Sequence, residues 1–207
     1  MLKDEVYQSI KLRIITQDLP PCARIHEKEF VEAYHIGKTP LREVFFRLEN
    51  DGLIRRFPRS GTIVAPIDFV ELREVAEMRM ALEKLVGELA VRNITPELLE
   101  ELRARVVKLE ETLHDGQIDQ YILTESALHE ILYRATNNRR LGQTITVQQY
   151  LFARLWFTVN RQERALVSQA EDWRRVYQAM REGDEERLVE LNCNHFKFFY
   201  QFLKSMF

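Results

Sequence analysis

The sequence predicts a mostly α-helical chain in two parts: a small helical part that includes a β-hairpin, then a larger all-helical part. Three observations lead there. Five of the six prolines lie at or before Pro66, and the sixth, Pro96, stands where a helix can begin. Backbone breakers thus crowd the first third. Beyond Pro66 the chain reads as long helices with short connections. Charge divides at the same place: residues 1–66 carry 11 Lys/Arg against 9 Asp/Glu, and residues 67–207 carry 19 against 23. The boundary falls at 66–68, giving domains 1–66 and 67–207.

In the first domain, Asp4 to about Thr16 forms an amphipathic helix with Val6, Ile10, Leu12 and Ile14 among its apolar positions. Residues 19–25 (LPPCARI) are extended, because proline disfavours helix in the residue before it. His26 to Tyr34 is a short helix. HIGK (35–38) is a tight turn in which Gly37 can take a positive φ. Thr39 caps a helix whose first position is Pro40. Leu41, Val44, Phe45 and Leu48 recur on it at helical spacing. It runs to about Asn50, and Gly52 ends it. Residues 53–66 (LIRRFPRSGTIVAP) read as two strands around a turn at Arg59-Ser60-Gly61.

A short helix, a glycine turn, a second helix with basic residues at its start and a basic hairpin make an N-terminal winged helix-turn-helix. The alternative is a small basic α+β domain. Residues 37–62 hold six bases against three acids, a modest electrostatic footprint for nucleic acid.

The second domain begins with Asp68 and Glu71, which fit a capping box for a helix to about Arg92. Thr95-Pro96 starts another, to about His114. Helices follow over roughly 118–137, 139–164 and 169–182. Gly183 closes the last of these, and Asp184 caps a final helix. Six long helices with short loops form an all-α antiparallel helical bundle.

Composition excludes several classes. Of 207 residues, 45% are apolar and 30% charged, the balance of a soluble globular protein. No apolar run approaches the roughly 18 residues of a membrane span, so no membrane partner is expected. The start, MLKDEVYQSI, lacks the features of a signal peptide. Cys22 and Cys193 cannot form a disulfide framework or a thiolate zinc site. The expected compartment is the cytoplasm. No Walker loop, dinucleotide fingerprint or nucleophile elbow is present.

The stretches LPPCARI, KTPLREVFFRLENDGLI and RSGTIVAP resemble the winged helix of GntR-type bacterial transcription regulators. VAEMRMALEKLVGELAV, ESALHEILYRATNN and AMREGDEERLVELNCNHF resemble the FadR branch, whose effector domain (FCD) is an all-helical bundle. The resemblance covers essentially the whole chain. It implies a regulator, expected to be a repressor, that binds a palindromic double-stranded DNA operator as a homodimer and responds to a small carboxylate-type effector.

The resemblance also carries DNA contacts onto Lys28, Lys38, Thr39 and Arg42, and onto the wing tip Arg59, Ser60, Gly61 and Thr62. The chemistry agrees. Arg42 can pair bidentately with guanine, while Lys28 and Lys38 suit phosphates. A salt bridge from Arg42 to Glu43 or Glu49 is the competing reading. Arg47, Arg55 and Arg56 read as surface or wing-base charges.

Many bundles of this family hold a divalent metal through an aspartate and three histidines. Here Glu125 takes the aspartate position, and His129 lies four residues on, hence on the same helix face. His195 matches the last histidine. Trp173 stands where the middle histidine would be, and Asp172 points about 100° away around the helix. Two occupancies stay open. Glu125, His129 and His195 hold a metal (zinc, nickel or manganese), or the pocket is metal-free and Trp173 shapes it. Arg79 falls where relatives place an arginine near the effector cavity, with an ion pair to Glu83 or Glu77 as its alternative. Tyr177, one turn after Trp173, is a further candidate for lining the effector site. The competing function is a helical metal-binding protein or enzyme using Glu125, His129 and His195.

Overall fold

A computed structural model describes residues 2–58, 60–159 and 163–205. The chain divides into two compact units: Met1–Asp68 with Tyr150–Val159, and Phe69–Gln149 with Asn160–Phe207.

The first unit contains α1 (Leu2–Ile15), β1 (Arg24–Ile25), α2 (Glu27–Tyr34), α3 (Lys38–Asn50), β2 (Ile54–Phe57) and β3 (Gly61–Val64). The strands form an antiparallel sheet in the order β1-β3-β2, with Ile25 opposite Thr62 and Phe57 opposite Gly61. One apolar cluster explains the assembly. Val6, Tyr7, Ile10 and Ile14 of α1 meet Phe30 of α2, then Leu41, Val44, Phe45 and Leu48 of α3, with Ile54 and Val64 of the strands. Gly52 takes φ +70 after α3, and Leu53 N donates to Leu48 O at 2.9 Å, which turns the chain into the wing.

Three details differ from the expectation. The left-handed residue of the turn is His35 (φ 49), which caps α2 by donating to Val31 O. Gly37 is extended (φ −67) and is the N-cap of α3. The helix therefore starts at Lys38, and Thr39 lies inside its first turn instead of capping it. Pro40 remains compatible, since a first-turn N–H has no intrahelical partner to lose. The extended stretch supplies a third strand, because β3 has an edge that Arg24 and Ile25 can pair. Residues 150–159, far along the chain, also pack in the first unit. There Lys11 Nζ donates to Tyr150 Oη (3.2 Å), Gln17 Nε2 donates to the Arg154 carbonyl (3.2 Å), and the Arg154 guanidinium donates to the Ala65 carbonyl.

The second unit is helical: α4 (Phe69–Asn93), α5 (Pro96–His114), α6 (Ile118–Ala135), the first half of α7 (Arg139–Val159), α8 (Glu163–Glu182) and α9 (Glu185–Ser205). Thr95 caps α5 by accepting from Leu98 N at 3.3 Å, with Pro96 following. Asp184 caps α9 by accepting from Arg187 N at 3.0 Å, after Gly183 at φ +70. Helix α4 packs chiefly on α9 and α6, α5 on α6 and α8, and α8 on α9. Among the described residues no helix is long and apolar enough to cross a membrane.

Candidate functional site

Each unit presents one site. In the first, the amphipathic pattern of α3 buries Leu41, Val44, Phe45 and Leu48, which turns Lys38, Thr39 and Arg42 outward. Lys28 on α2 is exposed and lies 3.9 Å from Glu32. Arg42 meets neither partner that the sequence offered it. Its Nε lies 3.6 Å from Glu27, while Glu43 pairs with Lys3 (2.5 Å) and Glu49 with Arg56 (3.6 Å). An exposed ion pair of this kind holds a side chain weakly, so Arg42 can exchange Glu27 for another anion.

On the wing, Ser60 and Gly61 are exposed, and Gly61 has φ +101 with open space around it. Thr62 is buried instead, because it sits on the central strand between Ile25 and Arg56. Arg59 lies outside the described residues. A groove of about 670 Å³ runs between α3 and the wing, lined by Glu27, Arg42, Glu49, Arg56, Phe57 and Pro58. Arg47 is engaged in the scaffold. It donates to Asp4 (3.0 Å) and lies 3.7 Å from the centre of the Tyr7 ring, while Tyr7 donates to Asp51 (2.5 Å).

In the second unit, the four-residue spacing on α6 brings Glu125 and His129 together in the interior. His129 Nε2 lies 2.8 Å from Glu125 Oε1, and His195 Nε2 of α9 lies 3.4 Å from the same oxygen. Burial works against the Glu125 charge, but His129 and His195 hold its carboxyl well below the usual carboxylate range. Trp173 of α8 closes the cluster. It is 2% exposed, with its ring edge-on to His129 (centroids 4.8 Å apart) and 5.8 Å from His195. Among the described residues, His129 Nδ1 and Trp173 Nε1 are buried without a hydrogen-bond partner. Asp172 is half-buried and pairs with Arg175 at 3.5 Å.

Beside this cluster lies a second polar network. Arg79 of α4 is fully buried and pairs with Glu83, the first of its two sequence-named partners. It also donates to Tyr133 Oη and, at 2.7 Å, to Gln149 Oε1. Asn192 of α9 donates to the Glu83 carbonyl (2.8 Å) and carboxylate (2.7 Å). Tyr133 joins the two networks, since its ring stacks on His129 at 5.9 Å. The sequence reading did not single out Tyr133, Gln149 or Asn192. Tyr133 carried a signal, four residues beyond His129; Gln149 and Asn192 carried none. Tyr177 is half-buried, with the Arg181 guanidinium 5.9 Å from its ring.

One carboxylate and two imidazoles offer ligand atoms within 4.8 Å of one another. That donor set fits a divalent first-row metal with coordination positions left open. Trp173 cannot supply a fourth ligand.

Comparison with known proteins gives two matches in chain order. Residues 2–64 match the gntR family of bacterial regulatory proteins, and residues 74–198 match the FCD domain. The chain is 28% identical over 138 residues to the uncharacterized HTH-type transcriptional regulator YdhC of Bacillus subtilis, covering 66% of this chain and 62% of that one. It is 28% identical over 133 residues to the HTH-type transcriptional regulator McbR of Escherichia coli (64% and 60%). It is 28% identical over 137 residues to a probable D-xylose utilization operon transcriptional repressor of Paenarthrobacter nicotinovorans (66% and 60%). These matches span about three fifths of the relatives' lengths. In fold, the chain is similar to the E. coli McbR/YncC structure, with a TM-score of 0.86 at 22% identity over 100% of this chain and 98% of that one. A putative GntR regulator from Rhodococcus gives 0.79 at 17% identity over 99% and 98%. The relatives are regulators, which sets aside the alternative of a metal-using enzyme. With the two matches in chain order and the FCD match alone spanning more than half of its length, this chain belongs to the GntR family of bacterial transcription regulators and carries an FCD domain.

Proposed function

We propose that the chain is a ligand-responsive repressor. It binds a palindromic operator as a homodimer and takes a small carboxylate-type effector beside Glu125, His129, His195 and Trp173. Support for the DNA contacts is the outward basic front of α3. Arg42 reads a guanine edge, Lys28, Lys38 and Thr39 hold phosphates, and Arg59, Ser60 and Gly61 contact the minor groove of the DNA. Thr62 acts from inside the sheet, by fixing the wing.

The observation that carries the effector reading is the pair of buried, partnerless nitrogens on His129 and Trp173. An unmet buried donor costs about 1–3 kcal/mol, which a ligand oxygen accepting from the Trp173 indole N–H would recover. Arg79 acts at one remove, positioning His129 through Tyr133. A divalent ion (zinc, nickel or manganese) would be held by Glu125, His129 and His195, and would offer open positions to an anionic ligand. Binding changes operator affinity only through the effector's different affinities for the DNA-competent and DNA-released states.

Metal analysis of the purified chain before and after chelator dialysis tests the ion. About one equivalent per chain, lost in His195→Ala, is the result expected of a metal-holding site. No metal, even after addition, retires the ion and leaves the surroundings of Trp173 to be probed by a thermal-shift screen of small carboxylates. A screen in which no compound shifts the wild type, or in which Trp173→Phe responds as the wild type does, would overturn the effector site. Arg42→Ala binding operator DNA as the wild type does would overturn the interface.

A further inference from the structure

Phe46 is 59% exposed on α3. Folding gives no reason for an aromatic ring there. The helix already fills its side of the core with Leu41, Val44, Phe45 and Leu48, all buried. At about 100° per residue those four centre on one side of the helix, and Thr39, Phe46 and Asn50 centre on the opposite side, with Arg42 on its flank. Thr39, Arg42 and Asn50 are exposed like Phe46. The ring therefore stands in the middle of the outward face, one turn along from Arg42.

Scattered exposed apolar residues are ordinary on protein surfaces. This one is placed where its neighbours carry base-reading chemistry. In the major groove the apolar feature of a base edge is the C5-methyl group of thymine, and phenylalanine is among the residues that pack on it. A rise of about 1.5 Å per residue puts Phe46 roughly 6 Å beyond Arg42, within reach of a neighbouring base pair in the major groove.

We propose that Phe46 is a specificity-determining residue: its ring packs on a thymine methyl close to the guanine read by Arg42. The inference rests on the assignment of α3 as the reading helix. It adds a requirement at that position for a 5-methylpyrimidine, which neither charge nor hydrogen bonding would impose.

The test uses the full chain and a duplex selected by it from a random library. Each thymine is replaced singly by deoxyuridine, which removes the methyl and leaves the Watson–Crick edge intact. In the wild type, one such replacement per half-site weakens binding about fourfold, the worth of a buried methyl-sized group. Phe46→Ala binds the thymine and deoxyuridine duplexes alike, and Phe46→Leu keeps part of the difference. Both variants melt like the wild type, because the ring is outside the core. Methyl dependence that persists in Phe46→Ala, or a wild type indifferent to every methyl, overturns the inference. Failure to select any sequence, or a selected duplex that Arg42→Ala binds normally, overturns the reading helix itself and the inference with it.

Discussion

Arg79 shows how far a single residue can be committed to the interior. Burial opposes its charge, but Tyr133 and Glu83 more than offset this and hold the guanidinium firmly protonated. Asn192 braces the Glu83 carboxylate from α9. Removing one member leaves a buried, uncompensated charge. Glu83→Ala is therefore expected to lower stability by about 3–5 kcal/mol in urea unfolding. The double change Arg79→Met with Glu83→Leu should recover most of that loss, because it removes both charges. Tyr7 makes a second residue-level statement. Burial and its bond to Asp51 push the phenol well above its ordinary value. A group raised in the folded state contributes stability that is fully present below its unfolded pKa of about 10 and is lost as pH rises beyond it. Thermal melts should show the first unit weakening above about pH 10, with a shallower alkaline slope in Tyr7→Phe. Equal slopes would mean that Tyr7 does not titrate in this way.

At the scale of elements, the close approach of α4 and α9 depends on Gly87. A Cβ there would meet Val189 Cγ2 at 2.9 Å and its Cα at 3.0 Å, so backbone would have to shift. Gly87→Ala should cost about 1–3 kcal/mol as overpacking, despite the better helix propensity of alanine. Gly142 is the control. Its Cβ would meet only the Tyr133 carbonyl at 3.6 Å, so Gly142→Ala should be neutral or gain up to about 1 kcal/mol. Chemical denaturation of the two variants measures the contrast.

Elements were legible where a local rule acts alone. Thr95-Pro96 and Gly183-Asp184 start α5 and α9 by capping, and the i, i+4 pair on α6 puts Glu125 beside His129. Local rules failed where tertiary structure chooses among them. Either His35 or Gly37 could have made the left-handed turn, and the cap on α2 went to His35. Two residues become β1 only because β3 offers an edge. At the buried site, Trp173 was visible as a departure from a family pattern. Gln149 and Asn192 reach the neighbouring Arg79–Glu83 pair from α7 and α9, and no spacing within one helix announces a partner on another.

For the whole molecule, the proposed dimer has a candidate surface. Val70, Met78 and Leu85 are exposed apolar residues on one side of α4, at spacings that repeat along a helix. Leu85→Glu together with Met78→Glu should give a monomer by light scattering. Its operator affinity should fall by about a hundredfold or more, because two linked half-site contacts become one. A variant that stays dimeric would move the dimer surface elsewhere. The composition of the first unit has a different consequence. Its three strands and helices α1 to α3 lie in residues 1–68, yet Tyr150 and Arg154 hold Lys11 and the Ala65 carbonyl from far along the chain. The DNA-binding part is thus not a contiguous cassette. A chimera that grafts residues 1–68 onto a foreign sensor leaves those two anchors behind, and the donor helix spanning 150–159 has to travel with the graft.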